Sequence, residues 1–176
     1  FVPSDLETPA ATPRRYQFNQ PFGLPVRYHD IKVFSEVSNL DLVEIHLSYK
    51  DLEVDLNQVL PVRQNIGLVI HAPELFAGDH TLDLCTEDSS YRNHSIAELQ
   101  RVIDISRDLR NRFQCSDPVL LVTNVGGFSE HHHLNRSERK PLRERLITSL
   151  KKINTAGEVE IIPQTMPPFP WHFGGQ

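Results

Sequence analysis

Short apolar runs alternating with helical patterns predict an α/β fold, laid out as a partial (β/α)8 barrel: about five of eight parallel strands with flanking helices. Three observations support this. Five runs have the length and composition of buried strands. Helical patterns separate them, as right-handed βαβ units require. No glycine-rich phosphate loop follows the first run, which counts against a small doubly wound, nucleotide-binding sheet.

The elements follow in order. Residues 1–15, FVPSDLETPAATPRR, hold three prolines and no apolar period, and read as a linker or arm. Residues 16–176 read as the N-terminal portion of the barrel domain. LPVR (24–27) is the first strand, HDIKVFSEV (29–37) a helical pattern and DLVEIHL (41–47) the second strand. A polar segment, SYKDLEVDLNQVL, leads to the third strand, IGLVIHAPE (66–74). SIAELQRVIDISRDLRNRF (95–113) places Ile96, Leu99, Val102, Ile103, Leu109 and Phe113 on one helical stripe, with Ser95 and Glu98 spaced as a capping box. PVLLVTN (118–124) is the fourth strand. PLRERLITSLKKI (141–153) is a helix with Pro141 suited to its first turn, and EVEIIPQ (158–164) is the fifth strand. The proline-rich loop after it is expected to lead to a sixth strand, and an uncovered sheet edge predicts self-association or a missing remainder of the barrel.

Composition narrows the function classes. A net charge of −5 argues against electrostatic nucleic-acid binding. The apolar runs are too short to span a bilayer and no charged-then-apolar leader opens the chain, so no membrane partner and a cytoplasmic location are expected. Cys85 and Cys115 lack metal-type spacing and read as free thiols.

In such a barrel, chemistry belongs at the carboxyl ends of the strands. Polar residues gather there: Arg27, His29 and Asp30 after the first strand, Glu44 and His46 on one face of the second, His71 and Glu74 at the third, Asn124 at the fourth and Gln164 at the fifth. Any one strand-end histidine is more often a hydrogen-bonded structural residue than a ligand. Convergence from five segments is what favours a site. Glu44 is expected either to pair with Arg27 or to act on a ligand, since an unpaired buried carboxylate costs several kcal/mol, about 3–5 when a partner is lost. Arg92 is read as an anion-binding candidate near a helix start, against a solvated or ion-paired arginine. The tri-histidine run 131–133 reads as a surface loop with incidental metal affinity. Gly126 and Gly127 read as a tight turn, a backbone anion nest being the weaker alternative. Phe169, Trp171 and His172 would either stack on a sugar ring or plug the barrel mouth.

The strings FGLPVRYHD, VEIHLSYKDLEVDL, VIHAPELF, YRNHSIAELQRVIDISRDLRNRF, TNVGGFS and EVEIIPQTMPPFPWHFGGQ resemble the xylose isomerase-like superfamily of TIM barrels, which holds sugar phosphate isomerases, epimerases and AP endonuclease-type enzymes. More narrowly, they look like the barrel domain downstream of bacterial N-acetylneuraminate (sialic acid) synthase domains. The resemblance spans about residues 16–176. It implies a metal-dependent sugar or sugar-phosphate isomerase or epimerase, with a divalent cation (Mn, Zn or Mg) that polarises a sugar carbonyl while a base moves a proton. On this resemblance His71 and Gln164 are expected metal ligands; from their place at the strand ends and loops, Glu44 and His46 are the catalytic candidates, and Arg27, His29, Glu74, Arg92, Asn124 and Trp171 are expected to bind substrate. Asn124 and Gln164 stand where the superfamily carries a histidine and a glutamate. Those two departures favour the alternative of a non-catalytic sugar-binding or regulatory module attached to a synthase. Ligands from later strands are absent from the 176 residues, so the chain alone is expected to be inactive.

Overall fold

Alternation within the apolar runs sets the layout of the sheet. Val43, Ile45 and Leu47 are buried while Glu44 and His46 between them are half covered, because successive strand side chains point to opposite faces. Leu68, Ile70 and Ala72 repeat the pattern around the half-covered Val69 and His71. One face packs on helices and the other carries the polar residues.

The computed structural model describes residues 15–115, 118–164 and 166. In chain order these form β1 (Gly23–Val26), α1 (Asp30–Val37), β2 (Leu42–His46), a 3-10 turn (Tyr49–Glu53) and α2 (Leu56–Val59). Then come β3 (Gly67–His71), β4 (Leu75–Phe76), β5 (His80–Thr81), α3 (Ser89–Arg110), β6 (Val119–Thr123), α4 (Arg136–Leu150) and β7 (Val159–Pro163). Five strands make one parallel sheet in the order β1-β2-β3-β6-β7, and β4 pairs antiparallel with β5 in a small ribbon. Each new parallel strand is laid beside the previous one. A doubly wound sheet would reverse direction at a switch point; this order is compatible with part of an α/β barrel. The register aligns Glu44, Val69, Leu120 and Glu160 in one row across the sheet, and His46, His71, Val122 and Ile162 in the next.

Helix α3 supplies most of the helix-side packing. Leu99, Val102, Ile103 and Leu109, with Phe113 just beyond the helix, are fully buried beside Phe76, Leu82 and Leu84. Truncating one of these leucines to alanine typically costs about 2–5 kcal/mol. On the opposite face, Leu42 spreads over both neighbouring strands. A Cβ at Gly23 would lie 2.6 Å from Leu42 Cδ1, and one at Gly67 would lie 3.2 Å from Leu42 Cβ. Before β1, residues 15–22 run beside 37–41, where Phe18 N–H donates to Asn39 Oδ1 and Phe22 N–H to Asp41 Oδ2.

Several expectations are corrected. Helix α3 starts six residues before Ser95, at Ser89, because Asp88 Oδ1 caps it by accepting the Ser90 and Tyr91 N–H groups at 2.8 and 3.1 Å. Ser95 and Glu98 lie inside the helix. Helix α4 begins at Arg136, where Asn135 and Glu138 cap it reciprocally, so Pro141 lies in the helix interior and not in its first turn. The polar segment after β2 folds as the 3-10 turn and α2, and the β4–β5 ribbon was not foreseen. No helix among the described residues is long and apolar enough to cross a membrane. Both cysteines are free.

Candidate functional site

All carboxyl ends of a parallel sheet lie on one side, and the register places His46 directly beside His71. Neighbouring strands are about 4.8 Å apart, and the two imidazoles stack with centroids 4.5 Å apart and planes 15° from parallel. Glu44, two residues before His46 on the same face, puts Oε1 2.9 Å from His46 Nε2. Gln164 follows β7, tied there by its N–H to the Thr123 carbonyl at 2.8 Å, and its Oε1 lies 2.8 Å from His71 Nε2. A carboxylate, two imidazoles and an amide thus form one line across the end of the sheet. It is open to solvent: the side chains of His46 and Glu44 are 41% and 33% exposed.

The partner of His46 decides its tautomer. A carboxylate only accepts, so His46 carries its proton on Nε2 and its neutral form keeps a lone pair on Nδ1. His71 faces an acceptor from each ring nitrogen, the Ala72 carbonyl 3.1 Å from Nδ1 and Gln164 Oε1 2.8 Å from Nε2, so its neutral form donates to one of them and keeps a lone pair at the other nitrogen. Each ring offers one basic nitrogen, as proton transfer to and from a ligand requires.

Arg27 pairs with Asp51 and not with Glu44: Nη1 lies 3.3 Å from Asp51 Oδ2 and also donates to the His46 carbonyl. Asp51 Oδ2 accepts from Ser48 N–H and Ser48 Oγ at 2.7 Å each, so the turn after β2 brings its own acid to Arg27. Arg27 thereby braces the backbone at His46. Just beyond it, Tyr28 buries a hydroxyl without a hydrogen-bond partner, and burial followed by the Asp51 charge pushes its ionisation up.

The remaining expected residues are dispersed. His29 is exposed beside Asp30, and Glu74 is exposed. Arg92 donates to the Thr86 and Glu87 carbonyls, which makes it a brace for the segment before α3 and not an open anion site. Asn124 is buried and turned into the glycine loop, where its Oδ1 accepts Gly126 N–H at 3.1 Å. Trp171, with Phe169 and His172, lies outside the described residues. The tri-histidine run is exposed, with His132 3.4 Å from Glu138. Among the described residues no group of three or more His, Cys, Asp or Glu side chains is placed to hold a metal. His71 and Gln164 contribute two donors at most, so the described set does not by itself fit a metal centre.

A second polar cluster went unread in the sequence. Asp83, His80 and Ser95 are buried between the ribbon and α3. Ser95 Oγ lies 2.9 Å from His80 Nε2 and accepts Asp83 N–H at 3.1 Å. Burial, then the neighbouring His94, holds the His80 imidazole below its ordinary range. Burial, then Asp83, pushes the Cys85 thiol up to about 12 and keeps it inert. The signal available was an acid between the apolar Leu82 and Leu84. No protein-family model, curated protein or solved structure matches the chain.

Proposed function

We propose that the sheet is the leading part of a (β/α)8 barrel of xylose isomerase-like type, and that its strand ends carry a sugar or sugar-phosphate isomerase or epimerase site linked to sialic acid biosynthesis. The observation that supports this reading is the Glu44–His46 dyad stacked on His71. Glu44 holds His46 in one tautomer; His46 Nδ1 takes a proton from the carbon beside a sugar carbonyl as the electron pair moves to the carbonyl oxygen, His71 carries the proton of that carbon's hydroxyl across to the same oxygen, and His46 returns its proton to the former carbonyl carbon. Gln164 orients a hydroxyl. These roles need no external oxidant or reductant. A divalent cation would be held by His71 and Gln164 only together with donors from outside the described residues, and would supply polarisation of the sugar carbonyl. The exposed Leu42, Leu120 and Ile162 on the same face support its being covered by further strands or a second copy of the chain.

The second reading, a sugar-binding module without catalysis, is favoured by the burial of Asn124 in its own loop and by the uncharged amide at Gln164. Calorimetric titration of Mn²⁺ and Zn²⁺ into the chain with His131, His132 and His133 changed to alanine, beside the same protein carrying His71→Ala, separates the two. Metal binding lost with His71, and sugar binding strengthened by metal, is the expected result for the isomerase. Sugar bound equally well without metal supports the module. Absence of both kinds of binding would defeat both readings.

A further inference from the structure

A hollow of about 460 Å³ opens between the segment 81–91 and the loop after β6, and none of Glu44, His46, His71 or Gln164 lines it. Asp83 is its buried acid, 9% exposed. One oxygen of that carboxylate is fully occupied: Oδ1 accepts the N–H groups of Cys85, Thr86 and Gly127 at 2.8, 3.1 and 2.9 Å. The other, Oδ2, has no hydrogen-bond partner among the described residues. It is nevertheless not one of the buried polar atoms left unpaired there, which are the Tyr28 hydroxyl and Arg139 Nε. Oδ2 is therefore open to the hollow that Asp83 lines. Buried charges are ordinarily paired, and no cation among the described residues reaches this oxygen.

Two further acids and two rings complete the walls. Asp88 and Glu130 are exposed, and neither makes an ion pair among the described residues. Tyr91 is 37% exposed, and its hydroxyl is pinned to the Thr81 backbone, donating to the carbonyl at 2.8 Å and accepting the N–H at 3.1 Å. Phe128 and Glu130 arrive by way of the glycine loop. Gly126 and Gly127 have φ of 77° and 76°, and a Cβ on Gly126 would lie 2.5 Å from Asp83 Cα, so glycine is what lets this loop pass so close to Asp83. No lysine or arginine lines the hollow. Arg92 and Arg145, which reach the segment 85–87, are held by the Thr86, Glu87 and Cys85 carbonyls and the Glu87 carboxylate.

Acids dispersed among rings do not suit a metal ion. No three of the described His, Cys, Asp or Glu side chains are grouped to hold one, and a hard cation takes about six oxygens. They suit an organic ammonium, whose N–H groups donate to carboxylate oxygens while its charge and stem rest on aromatic faces. We propose that the hollow binds a small primary alkylammonium ion, with Asp83 Oδ2 accepting from its head and Tyr91 and Phe128 flanking its stem. The site is separate from the strand-end histidines and does not rest on the isomerase reading.

The test is an NMR titration of the whole chain with three probes: n-butylammonium chloride, n-butanol and magnesium chloride. The amine should shift the Thr86, Tyr91, Phe128 and Glu130 amides to saturation and leave the His46 and His71 ring signals unmoved. Butanol, with the same stem and no charge, should bind about tenfold more weakly or worse. Magnesium should displace the amine no more than sodium chloride of equal ionic strength does. Asp83→Asn, which keeps the shape and removes the charge, should weaken the amine by about tenfold, and Glu130→Gln by a smaller factor. Equal binding of butanol and the amine would make the hollow a merely apolar pocket, specific displacement by magnesium would make it a metal site, and no saturable shift would leave no site. Each of these overturns the proposal, as does unchanged affinity in Asp83→Asn. If that variant does not fold, Phe128→Leu replaces it: the amine should lose about threefold through the missing ring face and butanol less, and equal losses overturn the assignment.

Discussion

Replacing Ser95 with alanine should cost far more than removing one surface hydroxyl. Its Oγ is fully buried and serves two other buried groups, the His80 imidazole at 2.9 Å and the Asp83 N–H at 3.1 Å. Truncation strands both, and a buried polar group left without a partner costs about 1–3 kcal/mol. The expected loss is therefore about 2–6 kcal/mol, which for a chain of this size lowers Tm on the order of 10 °C. Ser106, also fully buried on α3, is the control: its hydroxyl donates to the Val102 carbonyl at 2.6 Å, within its own helix. Ser106→Ala strands no second group and should cost under about 1 kcal/mol. Urea unfolding followed by circular dichroism, with unchanged m-values, compares the two. Equal losses would refute the reasoning, because they would mean that burial of a serine, and not its bridging of His80 and Asp83, sets the cost.

Other outcomes are expected from the same structure. Gly126→Ala should lose about 1–2 kcal/mol from the left-handed backbone alone, and more from the approach to Asp83 Cα, seen as a lower urea midpoint. His80 is held below its ordinary 6.5 by burial and then by His94, with Glu98 and Asp83 opposing and Tyr91 packed on the ring. As pH falls the unfolded chain takes up the proton first, so stability should be level above about 6.5 and decline below it; His80→Gln should flatten that decline in urea melts taken across pH. Leu120→Ser with Ile162→Ser should reduce any self-association seen by sedimentation, since both side chains are exposed on the polar face of the sheet; an unchanged dimer or larger species would place the contact elsewhere.

The strand layout was legible because a period of two leaves a mark on every residue. Val43, Ile45 and Leu47 had to share a face, which forced Glu44 and His46 onto the other, and the third strand repeated the rule with His71. The pairing of Arg27 was not legible. It depends on how the chain turns after β2, and that turn presents Asp51, an acid no periodicity singles out. Ser95 and Glu98 misled because the spacing of a capping box is also the spacing of two neighbours inside a helix, whereas Asp88, the true cap, precedes a polar first turn without apolar rhythm. Asn124 has the strand-end position of a substrate-binding residue, but the glycine loop after it needs an acceptor for the Gly126 amide and Asn124 supplies one. The β4–β5 ribbon has two residues per strand, too few to show alternation.

The segment from Leu82 to Glu87 hangs from anchors made much later in the chain. Leu84 N–H donates to the Val125 carbonyl, Ser149 Oγ to the Leu84 carbonyl, Arg145 to the Cys85 carbonyl, and Gly127 N–H to Asp83. During synthesis, which proceeds at about 5–20 residues per second, this stretch leaves the ribosome well before its partners on β6 and α4. It must wait, with the Leu84 and Cys85 carbonyls hydrated, until residue 149 has been added. A nascent chain arrested before β6 should show fast exchange at the Leu84 amide even where α3 is already helical, and the Leu84 and Cys85 carbonyls would be the last groups of this wall to be covered.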